Sequence, residues 1–77
     1  MSEQDVSNEE LLQDIEITAK ETKAYSDIAF GYKALSELPE NRGNNMYYFE
    51  FQKYLHLHKR CLAFYEKLCE IKEKRGI

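Results

Sequence analysis

Apolar residues return along this chain every three or four positions, in two long stretches. In the first, Leu11, Ile15, Thr18, Ala19, Thr22, Tyr25, Ser26, Ala29 and Tyr32 fall on one stripe of an α-helix at about 100° per residue. Ile17, Ala24, Ile28 and Leu35 form a flank beside that stripe, Leu12 and Phe30 mark its other edge, and Glu16, Lys20, Lys23 and Asp27 hold the polar arc. In the second stretch the stripe holds Tyr47, Phe51, Tyr54, Leu55, His58, Cys61, Leu62, Tyr65 and Cys69. Met46, Leu57, Phe64, Leu68 and Ile71 lie about 90° around from it. Gln52, His56, Lys59, Arg60, Lys67 and Glu70 stand opposite, with Ala63 among them. The alternation with period two that marks a strand occurs nowhere.

Start and stop signals frame these stretches. Ser7 followed by Glu10 fits a capping box, Glu9 and Glu10 put negative charge in the first turn, and Val6 is placed to staple onto Leu11. Pro39 disfavours a helical conformation at Leu38 and sets the stop. "PENRGNN", residues 39–45, reads as a loop in which Asn44 or Asn45 can cap the next helix. That helix runs to Arg75, with Lys72, Lys74 and Arg75 in its last turn and Gly76 as the exit residue. The pattern predicts an all-α fold, a long antiparallel helical hairpin with helices at about 8–38 and 45–75. Residues 1–6 are expected to be a flexible N-terminus and residues 7–77 a single domain; Gly31 is the one position that could break the first helix.

The centre of the first stripe is lined by small side chains (Ala19, Thr22, Ser26, Ala29), whereas the second carries rings, and small against large is how facing layers interdigitate. On the second helix the apolar arc still spans roughly 200°, against the roughly 100–140° that one partner helix covers. Two helices covering each other would leave Ile17, Ile28, Leu35, Leu57, Phe64 and Ile71 in water, and a patch of that kind normally marks an interface. A four-helix bundle made from two hairpins is the simplest way to hide it.

Charge adds to this picture. Residues 1–40 carry ten acids against three lysines, and residues 45–75 carry seven cations against four carboxylates, within a net charge of −3. Halves of opposite sign suit each other side by side. The chain is 77 residues long, and domains of that size commonly need a staple. A disulfide is excluded, because Cys61 and Cys69 stand about 12 Å apart along one helix. Two free thiols, no signal peptide and no apolar run near ~18 residues indicate a soluble cytoplasmic protein.

The chemistry-bearing residues converge on nothing. In "HLHKRC", His56 and His58 project about 200° apart on a helix, which leaves only His58 and Cys61 on one face, too few for zinc. Cysteines on an apolar side stay protonated, and the carboxylates fall on exposed faces, so neither catalysis nor a metal or other cofactor is expected. Lys53, His56, Lys59, Arg60 and Lys67 form a basic stripe that could track a phosphate backbone, yet the rings lie on the other side of the helix, where no stacking platform accompanies the charges. The reading is therefore a small non-catalytic protein-interaction module, an adaptor, inhibitor or small chaperone, acting as a homodimer or on a larger protein. The alternative is a bundle that binds a nucleotide-like small molecule or RNA. Ile17, Ile28, Leu35, Tyr54, Leu57, His58, Phe64, Tyr65, Leu68 and Ile71 are the expected partner interface. If that interface buries His58, its protonation would loosen the assembly. In architecture alone such a hairpin resembles the dimeric four-helix bundles that modulate plasmid RNA pairing and the short co-chaperones of secretion-system needle subunits.

Overall fold

A computed structural model describes residues 6–77. Among them the chain forms two helices, α1 (Asn8–Glu37) and α2 (Met46–Arg75), joined through a single 3-10 turn at Pro39–Asn41. No strand is present among the described residues. The expected flexible N-terminus lies, apart from Val6, outside those residues.

The boundaries follow from caps that the sequence supplies. Ser7 Oγ accepts the Glu10 amide at 3.1 Å, satisfying one of the orphan donors of the first turn. The helix passes through Gly31 without a break and ends one residue short of expectation, because Leu38, ahead of Pro39, is extended. The α1 carbonyl of Leu35 then accepts from the Leu38 amide at 3.3 Å and from Asn41 Nδ2 at 2.7 Å. Gly43 turns the loop with φ 91°, and Asn44 Oδ1 accepts the Met46 amide at 3.0 Å to open α2. At the other end Gly76 adopts φ 74°, and its amide reaches the Lys72 and Glu73 carbonyls. Ile77 adds a bond to Lys72 O, so the left-handed exit closes the helix much as a Schellman motif does.

Three contacts fix the register of the antiparallel pair. His58 Nδ1 lies 2.9 Å from Thr22 O, the Tyr25 and Tyr54 rings are 6.2 Å apart, and those of Tyr32 and Tyr47 are 6.3 Å apart. The same register brings Leu11 level with Leu68 and Thr18 level with Cys61. On each helix these positions recur every seven residues: Leu11, Thr18, Tyr25 and Tyr32 on α1; Tyr47, Tyr54, Cys61 and Leu68 on α2. A seven-residue seam drifts about 20° per heptad across a straight helical wheel. That drift carries Leu68 off the outer flank, where a fixed wheel puts it, and into the seam, where only 6% of it is exposed.

The resulting core is thin. Leu11, Ala29 and Leu68 are its buried hydrophobic side chains, joined by Thr18 and Thr22. The Thr22 hydroxyl is satisfied locally, donating to Thr18 O at 2.7 Å. Toward the loop, tyrosines from both helices interleave as Tyr25, Tyr54, Tyr32 and Tyr47; Tyr32 and Tyr54 lie nearly parallel, 5.7 Å apart and 11° between planes. All four rings are half-buried. At the far end Arg75 Nη1 donates to Val6 O at 2.6 Å and Asn8 Oδ1 at 3.1 Å, clipping the end of α2 to the start of α1. The whole is a rod of 52 × 17 × 15 Å. Its radius of gyration is 16.7 Å, against about 11.5 Å for a compact chain of this length.

Candidate interaction surface

One side of the hairpin carries an open groove between the helices, about 470 Å³ in volume, lined by Thr18, Glu21, Tyr25, Leu57, Arg60, Cys61 and Phe64. Its floor is the seam itself, through Thr18, Tyr25 and Cys61. Its walls are the residues next around each helix, spaced alternately three and four apart. On α1 this wall runs Asp14, Ile17, Glu21, Ala24, Ile28, Gly31 and Leu35; on α2 it runs Met46, Glu50, Lys53, Leu57, Arg60, Phe64, Lys67 and Ile71. Charged positions punctuate both walls: Asp14 and Glu21 near the N-terminal half of α1, and Lys53, Arg60 and Lys67 on α2, where Glu50 is the one acid.

Exposure separates the expected interface residues into two groups. Ile17 (54% exposed), Phe64 (51%), Ile28 and Leu35 stand open to water, while Leu57 and Ile71 are half-buried beside them. Tyr54, His58 and Tyr65 instead belong to the seam and are half-buried, and Leu68 is buried there. Tyr54 stacks on Tyr32 and meets Tyr25 at a 31° tilt, and His58 bonds across to α1. A carbonyl can only accept, so His58 Nδ1 carries a proton. Nδ1 donates in the neutral and the cationic ring alike, so protonation leaves this bond intact.

The Tyr65 hydroxyl is pushed above the ordinary tyrosine value of 10.0 by its hydrogen bond to Cys69, by the charge of that sulfur when ionised, and by desolvation. Both cysteines are free and half-buried. Among the described residues no group of three or more His, Cys, Asp or Glu side chains is placed to hold a metal ion. No helix among them is long and apolar enough to cross a membrane.

The expected basic stripe is divided. Lys53 Nζ sits over the Tyr54 ring at 5.4 Å from its centroid and Arg60 forms part of the groove, whereas His56 and Lys59 are exposed on the outer side of α2. Lys67 is exposed at the groove wall. Wheel reasoning missed two features. Glu21 takes part in the groove, which its spacing from Ile17 and Ile28 could have revealed. The Arg75 clip depends on a side chain reaching the opposite end of the chain, and no local pattern announces it. The second side of the hairpin exposes Leu12, Phe30, Tyr48 and Leu62, interrupted by Lys23, Lys33, Lys59 and Glu66. No family model, curated protein or solved structure matches the chain.

Proposed function

We propose that this chain is a non-catalytic protein-interaction module that works as a homodimer, two hairpins closing on their groove sides into a four-helix bundle. The observation that carries this reading is the mismatch between core and flank. Among the described residues the hairpin buries only Leu11, Ala29 and Leu68 as hydrophobic side chains, while Ile17, Ile28, Leu35 and Phe64 stand in water along one side. Surface area points the same way. The chain exposes 5910 Å², whereas a compact monomer of 9.2 kDa exposes about 4900 Å². The excess, about 1000 Å², is comparable with the ~800 Å² that each partner loses in a standard interface.

Binding, not chemistry, is the work such a surface does; adaptors, inhibitors and small chaperones all present a helical face of this kind. The free thiols of Cys61 and Cys69 suit a reducing compartment, the cytoplasm. Sedimentation equilibrium over a wide concentration range tests the reading. The expected result is a reversible dimer that Phe64→Lys and Ile17→Lys shift toward monomer while helical circular dichroism is retained in part. A stable, fully helical monomer at every concentration, unchanged by these substitutions, refutes it.

A further inference from the structure

Two hairpins can close on the same sides in two symmetric ways. With the two-fold axis parallel to the helices, α1 lies over α2 of the second copy and both loops sit at one end. With the axis across the helices, α1 lies over α1, α2 over α2, and the loops sit at opposite ends. Resting on the homodimer reading above, we infer that the first arrangement holds: the acidic wall of α1 docks on the basic wall of α2 in a second copy.

The inference comes from charge and height. The contacts of Thr22 with His58, Tyr25 with Tyr54 and Tyr32 with Tyr47 define which residues of the two helices share a level along the rod. A parallel two-fold axis preserves that level, so each α1 wall residue meets the α2 wall residue of the same height from the other copy. Glu21 then meets the second copy's Arg60, and Asp14 meets its Lys67. Ile17 meets Phe64, and the small Ala24 receives Leu57. Opposite charges meet opposite charges and apolar residues meet apolar ones along most of both walls, Leu35 meeting Met46 as well; the exceptions are Ile28, which meets Lys53, and Gly31, which meets Glu50. The crossed axis stacks the acidic wall on itself and the basic wall on itself, bringing Glu21 near Glu21 and Arg60 near Arg60. Like charges juxtaposed at an interface are strongly disfavoured, so this electrostatic pattern selects orientation even where each exposed pair adds little to affinity.

Two measurements separate the arrangements, and both keep failure of the orientation distinct from failure of the dimer. The first places a nitroxide on Arg42→Cys in a Cys61→Ala/Cys69→Ala background and reads the inter-label distance by pulsed electron resonance. Loops at one end give a distance below about 30 Å, since helix axes in a bundle lie 8–10 Å apart. Loops at opposite ends give a distance near the 52 Å length of the rod. The second uses unlabelled thiols. Chain carrying both Glu21→Lys and Arg60→Glu, which keeps the net charge, is mixed with isotopically heavy wild-type chain and examined by native mass spectrometry. With α1 over α2, both parents dimerise with themselves and mixed dimers fall at least about tenfold below the statistical share, as each mixed dimer sets like charges together. With α1 over α1, mixed dimers predominate. Long distances or excess mixed dimers in a confirmed dimer overturn the orientation and leave the homodimer standing. A monomer at all concentrations overturns both and gives the groove to a different partner.

Discussion

Removing Tyr32 tests how the loop half of the hairpin is held. Its ring stands between Tyr54 at 5.7 Å and Tyr47 at 6.3 Å, the only residue of the ladder with two stacked neighbours. Each ring pair is worth about 0.5–1.5 kcal/mol beyond the area it buries. The side chain is half-buried, so its area adds roughly 1 kcal/mol more. Tyr32→Ala should therefore cost about 2–4 kcal/mol, a large share of the ~4–12 kcal/mol that a chain of this length commands. The assay is urea unfolding followed by far-ultraviolet circular dichroism, at one fixed chain concentration because association shifts apparent stability. Tyr48→Ala is the control: its exposed ring meets only its own helix, Phe51 at 6.2 Å and Gln52 Nε2, which donates to its hydroxyl at 2.8 Å, and the better helix propensity of alanine offsets part of their loss, so it should cost about 1 kcal/mol or less. A double-mutant cycle on Tyr32 and Tyr54 should return a coupling of about 0.5–1.5 kcal/mol. Equal losses at Tyr32 and Tyr48, or a coupling near zero, would show that the rings share space without holding the helices together.

Three further outcomes follow from individual side chains. Gly31 sits inside α1 with nothing within 4 Å of where a Cβ would be, so Gly31→Ala should raise stability by about 0.5–1 kcal/mol, seen as a higher melting temperature. Arg75→Ala removes two charge-assisted bonds to Val6 O and Asn8 Oδ1; it should cost about 1–2 kcal/mol and speed amide exchange in the first turn of α1 before the rest. Tyr65 holds its proton more firmly folded than unfolded, so its contribution is complete below pH 10.0 and is lost as pH rises through its higher folded value. Cys69→Ala should return the Tyr65 titration, followed by carbon NMR of its ring, toward 10.0.

The elements were legible in the sequence because each is marked by residues that act locally. Ser7, Pro39, Asn44 and Gly76 do in the structure what their side chains and backbone preferences dictate, and the helices fall within about a residue of where those signals set them. Antiparallel pairing followed from the short loop. What sequence reasoning blurred was the boundary between seam and flank. A wheel at fixed pitch assigned Leu68 to the outer face and Leu62 to the inner stripe, yet Leu68 is buried and Leu62 is exposed. The seam follows a repeat of seven, not 3.6 turned twice, and the two diverge with distance along a helix of 30 residues. The expected division of small residues on α1 against rings on α2 was also only partly met, since Tyr25 and Tyr32 bring rings from α1 into the same ladder. Pairings of this kind depend on register between segments far apart in sequence, and no local pattern encodes it.

The choice of tyrosine for the ladder separates the two roles of the apolar surface. A rod one hairpin thick cannot enclose its own seam; every ring there keeps an edge in water. Leucine at Tyr25, Tyr32, Tyr47 and Tyr54 would offer that water only hydrocarbon, and the loop half of the seam would become one more adhesive strip. Tyrosine stacks through its faces and leaves a hydroxyl for solvent, so the seam is stable while wet. Ile17, Ile28, Leu35 and Phe64 have no such handle, and they stand farther out than the tyrosines do. Tyrosines able to tolerate water thus hold the loop half of the hairpin, while Ile17, Ile28, Leu35 and Phe64, without such a handle, are turned outward on the groove side. Self-assembly alone would be served as well by any greasy surface. On the proposed dimer reading, the division into a wet-tolerant seam and a dry-seeking flank would let the hairpin form first and dock second.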